Sequence, residues 1–259
     1  MKKTIFITGS TDGIGLETAK SLLADGHKVI LHGRNAEKLA HVEDDLGGGV
    51  ESHVADLSDL KAVSKLAADV LAKHDHIDVL INNAGIFKTP SPRTCDDLDI
   101  RFVVNTIAPY LLTQKLMSVL TVDARVVNLS SAAQAPVKLS ALKGEGQLAD
   151  MDAYAQSKLA ITMWTTFLKD AGPMMVAVNP GSLLASKMVR EGFGTAGNDI
   201  NIGVDILKRA SLSEEFANVS GRYFDNDARQ FSAPHPAGED MAQAAEIVQA
   251  MDDLIAKLT

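Results

Sequence analysis

Tyr154 and Lys158 have the residue types and the spacing that proton transfer requires. Positions i and i+4 lie one turn apart on a helix face, so the phenol and the ammonium group would be neighbours. A tyrosine with its ordinary pKa of about 10 is a poor acid or base near neutral pH. A cation one turn away improves it by stabilising the phenolate. The pair alone has a second interpretation, because the same spacing is common on exposed helices.

Polar residues that follow two apolar runs favour the catalytic interpretation. An Asn-Asn-Ala-Gly sequence occupies 82–85, and an Asn-Leu-Ser-Ser sequence occupies 128–131. Ligands of open α/β sheets bind at the carboxyl ends of the strands, where both sequences would lie. Asn105 interrupts the apolar stretch 102–110, and a buried amide there needs a structural or catalytic partner.

A glycine-rich loop follows the first apolar run and predicts a dinucleotide site. Its glycines allow a sharp turn and a close approach of the backbone to a pyrophosphate, and the helix after it would point its positive end at the phosphates. The spacing is Gly-x-x-x-Gly-x-Gly, and an ordinary tight turn is the alternative. The loop and the start of its helix comprise Gly9, Ser10, Thr11, Asp12, Gly13, Ile14 and Gly15.

The end of the second apolar run indicates which dinucleotide binds. NAD-specific sites carry an acidic residue there, which bonds the ribose 2′-hydroxyl. This chain has Gly33, Arg34 and Asn35 instead, and a guanidinium suits the 2′-phosphate of NADP. NADP (NADPH) is therefore favoured over NAD, although Asp12 in the glycine loop is an opposing signal and Arg34 could instead lie free in solvent.

The elements that would position these residues alternate along the chain. Short Val- and Ile-rich runs without polar alternation predict strands covered on both faces, and amphipathic stretches between them predict helices. Such alternation predicts α/β architecture with a parallel sheet. The predicted strands are Thr4–Thr8, Lys28–His32, Glu51–Ala55, Val79–Asn82, Arg125–Leu129 and Met174–Val178, and the predicted helices are Ile14–Ala24, Ala36–Leu46, Asp59–Lys73, Asp97–Leu120 and Asp152–Lys169.

The pattern changes after Asn179. The stretch 182–236 is rich in Gly, Ser, Asn and Pro and predicts helical turns and loops over one end of the sheet, with Arg222–Phe224 as a possible last strand. Glu239–Leu258 predicts a terminal amphipathic helix. No linker divides the chain, so we expect residues 1–259 to form one domain.

Composition narrows the classes of partner. The net charge is −8 without a basic cluster, which argues against a nucleic acid or an anionic membrane. The single cysteine, Cys95, supports neither a disulfide nor a metal site. The short apolar run after Met1 does not resemble a signal peptide, and no stretch is long enough to span a membrane, so we expect a cytoplasmic protein with a small-molecule substrate.

Taken together and in order, these motifs resemble the short-chain dehydrogenase/reductase family up to about residue 190. The match comprises the glycine loop, Asp56, the 82–85 sequence, Asn105, Ser131, the Tyr154/Lys158 pair and Pro180-Gly181. The resemblance implies a doubly wound, Rossmann-like fold with helices on both faces of the sheet and an oxidoreductase that transfers hydride between a nicotinamide cofactor and an alcohol or carbonyl compound.

The resemblance also implies a role for each matching residue. Tyr154 would be the general acid and base, Lys158 would lower its pKa and hold the nicotinamide ribose, and Ser131, rather than Ser130, would bond the substrate oxygen. Asn105 would anchor a water that links Lys158 to solvent. The remaining cofactor contacts would come from Asp56 and Leu57 at the adenine, Asn83, Ala84 and Gly85 at the adjacent ribose, and Pro180, Gly181 and Leu183 at the nicotinamide.

Two features depart from the family pattern. Residues 138–150 form an apparent insertion between Ser131 and Tyr154, which resembles the retinol-dehydrogenase-like branch and implies apolar substrates. Ala185 stands where the family often has a threonine that bonds the carboxamide, and Ser186 could replace it.

Other functions and the assembly remain open at this stage. A non-catalytic NADP(H)-binding sensor or interaction protein on the same fold is the main alternative, and an epimerase, dehydratase or other lyase is another. Family resemblance predicts a homodimer or homotetramer formed through the helices Asp97–Leu120 and Asp152–Lys169, which the insertion could block.

Overall fold

One eight-stranded sheet organises the molecule. The computed structural model describes all 259 residues, and its strands follow the order β3-β2-β1-β4-β5-β6-β7-β8. Neighbours from β3 to β7 are parallel, while β8 is antiparallel to β7. The strands are β1 (Thr4–Ile7), β2 (Lys28–Gly33), β3 (Glu51–Val54), β4 (Val79–Asn82), β5 (Arg125–Leu129), β6 (Met174–Asn179), β7 (Tyr223–Asp225) and β8 (Gln230–Ser232). The doubly wound α/β fold and all six main strands are confirmed.

Helices cover both faces of this sheet. Strand side chains alternate between faces, so Phe6 and Leu80 belong to one core while Ile5, Ile7 and Ile81 belong to the other. The helices are α1 (Gly13–Ala24), α2 (Ala36–Asp45), α3 (Leu60–Leu71), α4 (Ile100–Phe102), α5 (Ala108–Leu116), α6 (Leu139–Leu142), α7 (Asp150–Phe167), α8 (Lys187–Phe193), α9 (Asn201–Leu212) and α10 (Met241–Leu258). Helices α3, α5, α7 and α10 cover the first core, and α1, α2 and α9 cover the second.

The predicted continuous helix Asp97–Leu120 is wrong in detail. The helix begins after the N-cap Asp99, widens into a π-helical turn at Val103–Ile107, and ends at Leu116. Pro109 has no N–H to donate to the carbonyl of Asn105 four residues earlier, so regular α-helical bonding fails at this point. The wider turn therefore contains Asn105, the candidate site residue of this stretch.

The region after β6 is more regular than the sequence suggests. Helix α9 packs on α1 and completes the second core, so only α8 lies over the end of the sheet. The possible last strand is present as β7, one residue later than predicted. Strand β8 was not predicted, because its three residues are too few to show an alternating pattern. Since β8 is antiparallel to β7, the sheet is not purely parallel.

The insertion at 138–150 is bound to the body of the protein by two arginines. Arg93 donates to the backbone carbonyls of Gly144 and Gly146, and the fully buried Arg101 pairs with both Asp99 and Asp150. Because Asp150 is the first residue of α7, this ion-pair cluster fixes the beginning of the helix that carries Tyr154 and Lys158. No helix in the structure has the length and apolarity needed to cross a membrane.

Candidate active site

The glycine loop runs from β1 to α1 against the end of β4. Gly9 has a φ of +64°, and a Cβ there would lie 2.9 Å from the Cα of Ala84. A Cβ at Gly15 would overlap Nδ2 of Asn83, which donates to the carbonyls of Thr8 (2.8 Å) and Gly9 (3.0 Å). Side chains are therefore excluded at Gly9 and Gly15, and the resulting close backbone at the start of a helix fits a pyrophosphate. The side chain of Asn83 shapes the loop rather than reaching outward.

His32, which the sequence analysis did not single out, fixes the loop from below. The backbone N–H of Gly9 donates to His32 Nδ1 at 3.0 Å, and Nε2 lies 3.0 Å from the carbonyl of Ala55. Because Nδ1 accepts, the ring is neutral and its proton is on Nε2. Burial lowers the pKa of His32 to about 4. A histidine within an otherwise apolar strand was the available signal for this bridge between β1, β2 and β3.

The predicted 2′-phosphate site contains a second cation. Arg34 is exposed at the end of β2, and Asn35 caps α2 by accepting from the N–H of Lys38 at 2.8 Å. Lys38 Nζ lies 2.7 Å from Oδ2 of Asp12. Burial would raise the pKa of Asp12, but the hydrogen bond and charge of Lys38 hold it below its ordinary value. The opposing signal from Asp12 is therefore neutralised, and Arg34 remains available to an anion.

The other predicted cofactor residues of the first half lie along the same edge. Ser10 is buried and accepts from the N–H of His32 at 2.9 Å, and Thr11 packs against Gly33. Asp56 follows β3 with its carboxylate engaged by the N–H (2.9 Å) and hydroxyl (2.8 Å) of Ser58, while Leu57 is buried in the first core. Asp56 thus orders the loop after β3 at the edge where an adenine would lie.

Lys158 is the charged centre of the candidate site. Only 4% of the residue is exposed, and its Nζ donates to the carbonyl of Leu129 at 2.7 Å. The ammonium nitrogen lies 5.7 Å from the centre of the Tyr154 ring, which places the pair together as the spacing predicts. Burial lowers the pKa of Lys158 to about 8, so the side chain still carries its charge near neutral pH.

Tyr154 is half-buried beside Ser131. Burial raises the pKa of the Tyr154 phenol, and its hydrogen bond with Ser131 offsets part of the increase. Ser130 has a different environment, because its Oγ lies 2.7 Å from Thr162 Oγ1 and 3.0 Å from the carbonyl of Lys158. Ser131 is therefore the serine that faces Tyr154, while Ser130 joins the end of β5 to α7.

Asn105 connects the π-helical turn to the site. Its Oδ1 accepts from the N–H of Ile86 at 2.8 Å, and its Nδ2 donates to the Ile86 carbonyl at 3.0 Å and to Ser157 Oγ at 2.9 Å. The amide is thus occupied by the loop after β4 and by α7. The side chain has no proton left to donate to a water, so the predicted water would have to donate to Oδ1 or bond another atom of the turn.

The last set of predicted residues follows β6. Pro180 and Gly181 leave the strand, and the N–H of Gly181 donates to Asn179 Oδ1 at 3.2 Å. Leu183 is exposed with a φ of +52°, an unusual conformation for a residue with a side chain. Ser186 caps α8 by accepting from the N–H of Val189 at 3.3 Å, and it lies beside Gly13 of the glycine loop. The Ser186 hydroxyl therefore lies at the carboxyl edge of the sheet, where a carboxamide contact is expected, but it already accepts the capping hydrogen bond of α8.

An aromatic group covers Tyr154, and its main member was missed by the sequence analysis. Phe87 lies edge-on to Tyr154, with ring centres 5.2 Å apart, and Phe193 of α8 stacks on Phe87. The only sequence signal was an apolar aromatic residue two positions after the 82–85 sequence. Together with Met188, which lies near Gly85, these rings give the site an apolar wall.

Comparison with known proteins agrees with this geometry. The family model for short chain dehydrogenase matches residues 3–193. Among curated relatives, human retinol dehydrogenase 13 is 30% identical, with 93% of this chain and 81% of the relative covered, and human retinol dehydrogenase 12 is 31% identical, with 93% and 83% covered.

Solved structures of other proteins have a similar fold over most of this chain. An uncharacterized protein from Mycobacterium Paratuberculosis is similar with a TM-score of 0.81 and 26% identity, over 99% of this chain and 94% of that one. The NADPH-bound carbonyl reductase from chicken fatty liver is similar with a TM-score of 0.67 and 26% identity, over 90% and 99%.

Proposed function

The chain belongs to the short-chain dehydrogenase family, and from this premise we propose that it interconverts an apolar alcohol and its carbonyl compound with Tyr154 as general acid and base. As a member of this family it is an NAD(P)-dependent oxidoreductase. The single observation that carries the proposal is the assembly of Tyr154, Lys158 and Ser131 beside the glycine loop. The retinol dehydrogenases among its relatives and the apolar wall of the site support an apolar substrate.

The proton step follows from the surroundings of Tyr154. The nicotinamide cofactor supplies the hydride in reduction and accepts it in oxidation. Ser131 donates a hydrogen bond to the substrate oxygen and orients it towards the phenol, which protonates that oxygen in reduction. The phenolate left behind lies near the buried ammonium of Lys158, and Coulomb attraction between the two charges favours it. In oxidation the same phenolate removes the alcohol proton.

Replacing Tyr154 by phenylalanine tests the assignment. We expect Tyr154→Phe to lower kcat by about 10²–10⁴-fold, the usual effect of removing a general acid or base, while NADPH binding, measured by fluorescence titration, is retained. Tyr110→Phe is the matched control, since Tyr110 bonds Asp252 on the far side of α7 and does not line the site. A kcat for Tyr154→Phe equal to that of the control would refute the assignment.

We further propose that NADP(H) is the preferred cofactor, with Arg34 and Lys38 as the cations for its 2′-phosphate. Both side chains are exposed near the end of β2, and Lys38 already compensates the carboxylate of Asp12 in the glycine loop. NADP(H) is also present in solved relatives, including a short-chain dehydrogenase from Shigella flexneri complexed with NADP, which is 25% identical.

Cofactor titrations test this preference directly. We expect Arg34→Ala to weaken NADPH binding by about tenfold or more, in line with the loss of a charge-assisted hydrogen bond, and to leave the Kd of NADH almost unchanged. Lys38→Ala should weaken NADPH binding in the same selective way. Arg229→Ala, at an exposed site beyond β7, is the control. Tighter binding of NADH than of NADPH by the unmodified protein would contradict the preference.

A further inference from the structure

Phe87 occupies a place in the site that the proton step does not use. It is only 4% exposed and presents its ring to Tyr154 at an interplanar angle of 61°. It lies two residues after Gly85, on the segment that Asn105 fixes through Ile86. Its position is therefore set by the rigid edge of the sheet, next to the hydroxyl-bearing ring at which a substrate carbonyl must arrive.

One face of the Phe87 ring is covered by Phe193. The two rings are stacked, with centres 5.3 Å apart and an interplanar angle of 21°. Phe193 itself is 49% exposed. Gly192 allows this contact, since a Cβ there would lie 2.7 Å from Cδ1 of Phe87. The planar π system that lies on Phe87 in this structure is thus the half-exposed ring of Phe193.

The segment that carries Phe193 is closed at its base and lightly held at its tip. Asn198 bonds the backbone of Ala185 (2.8 Å), of Leu183 (2.6 Å) and of Ser182 (3.0 Å), which joins the two ends of the segment 185–198. At the tip, apart from the stacked ring, the exposed Lys88 donates to the carbonyl of Gly192 at 3.0 Å. Phe193 can therefore move away without disturbing the base of the segment.

We propose that Phe87 is a specificity-determining residue, whose ring face receives the planar, unsaturated part of the substrate in place of Phe193. This inference rests on the proposed function and narrows it to carbonyl compounds and alcohols in which a π system adjoins the reacting carbon. Stacking on Phe87 brings the carbonyl next to Tyr154, and a saturated ring of the same size lacks the flat face for this contact.

A pair of matched substrates tests the proposal. Naphthalene carbaldehyde and its fully hydrogenated counterpart have the same carbon skeleton but differ in planarity. We expect Phe87→Leu to reduce the preference for the aromatic aldehyde, taken as the ratio of the two kcat/KM values, by about two- to tenfold, the range for one aromatic contact. Taking the ratio cancels any common effect on Tyr154. Phe167→Leu, at the partly exposed end of α7, is the control and should leave the ratio unchanged.

Removing the cover gives an independent prediction. We expect Phe193→Ala to lower the KM for the aromatic aldehyde, because a competitor for the face of Phe87 is lost. An increased KM would overturn the proposal, since Phe193 would then be part of the substrate site. An unchanged substrate ratio in Phe87→Leu would overturn it as well.

A binding measurement separates this proposal from the proposed function. The corresponding carboxamides carry the carbonyl but are not reduced, so their Kd values can be measured by calorimetry on the NADPH-bound protein. A preference for the aromatic amide that Phe87→Leu removes would support the role of Phe87 even if neither aldehyde were turned over, and that lack of turnover would count against the proposed function alone. Equal Kd values for the two amides in the unmodified protein would overturn the role of Phe87.

Discussion

At the scale of single residues, His32 makes the nucleotide loop sensitive to acid. Its Nδ1 accepts from Gly9 and its Nε2 faces the carbonyl of Ala55, so a second proton on the ring would oppose the N–H of Gly9. The pKa of His32 is lowered to about 4 by burial, whereas an unfolded histidine titrates near ~6.5. Between these values the unfolded chain binds more protons than the folded protein does.

The stability of the protein should therefore fall as pH decreases from about 6.5 to about 4, and this contribution should be fully present above that range. For His32 it amounts to on the order of 3 kcal/mol, since each pKa unit corresponds to about 1.4 kcal/mol. Urea unfolding at a series of pH values measures it. His32→Gln, which does not titrate, should have a flatter profile over this range.

His41→Gln is the control for this measurement, because His41 is exposed on α2. Its profile should follow that of the unmodified protein. Parallel profiles for His32→Gln and the unmodified protein would show that His32 does not resist protonation in the folded state.

At the scale of elements, the π-helical turn holds the active-site helix to the edge of the sheet. Asn105 satisfies both backbone groups of Ile86 and also bonds Ser157 on α7. These bonds position α7 one residue away from Lys158. These contacts explain why the amide of Asn105 lies within the apolar stretch 102–110. We infer that Asn105 positions α7 relative to the loop after β4.

Asn105→Ala should lower the free energy of unfolding by about 2–4 kcal/mol, because partly buried backbone groups of Ile86 lose their partners. The same variant should have a reduced kcat, since α7 loses a fixed contact beside Lys158. Thermal unfolding and steady-state kinetics measure the two effects. Asn218→Ala, at an exposed asparagine, should change neither, and a fully active, fully stable Asn105→Ala would contradict this role.

How far sequence reasoning succeeds depends on how local the cause is. The six main strands are predictable because a buried parallel strand needs a continuous run such as Val79–Asn82. Strand β8 is too short to show a pattern, and the only local sign of the π-helical turn is Pro109, four residues after Asn105. The bridge made by His32 is not predictable, since it depends on Gly9 and Ala55, which are distant in sequence. For the same reason, the spacing of Tyr154 and Lys158 predicts their proximity, whereas nothing local indicates that Phe193 lies on Phe87.

At the scale of the whole molecule, the face expected to form an oligomer is already covered. Helix α10 packs along α7, and Asp252 of α10 accepts a hydrogen bond from Tyr110 of α5 at 2.8 Å. Trp164 of α7 is fully buried between these elements. Little apolar surface of α5 or α7 remains for a second copy, so we expect that the homodimer or homotetramer predicted from family resemblance does not form through these helices.

We therefore expect a monomer. Size-exclusion chromatography with light scattering should give a mass near 27.5 kDa over a wide concentration range. Asp252→Ala, which removes a bond between α10 and α5, should leave this mass unchanged while lowering stability. A stable dimer in the unmodified protein would show that another surface mediates association.

The position of α10 also has a consequence for protein synthesis. Helix α10 follows every other element in the chain, yet the helix that carries Tyr154 and Lys158 packs against it. While the chain is translated, the part of α7 that α10 covers stays exposed until α10 leaves the ribosome. Contacts between segments so distant in sequence form slowly, and a nascent chain with an exposed apolar helix is a substrate for chaperones and proteases. The packing around the helix of Tyr154 and Lys158 is thus completed only after α10 has been synthesised.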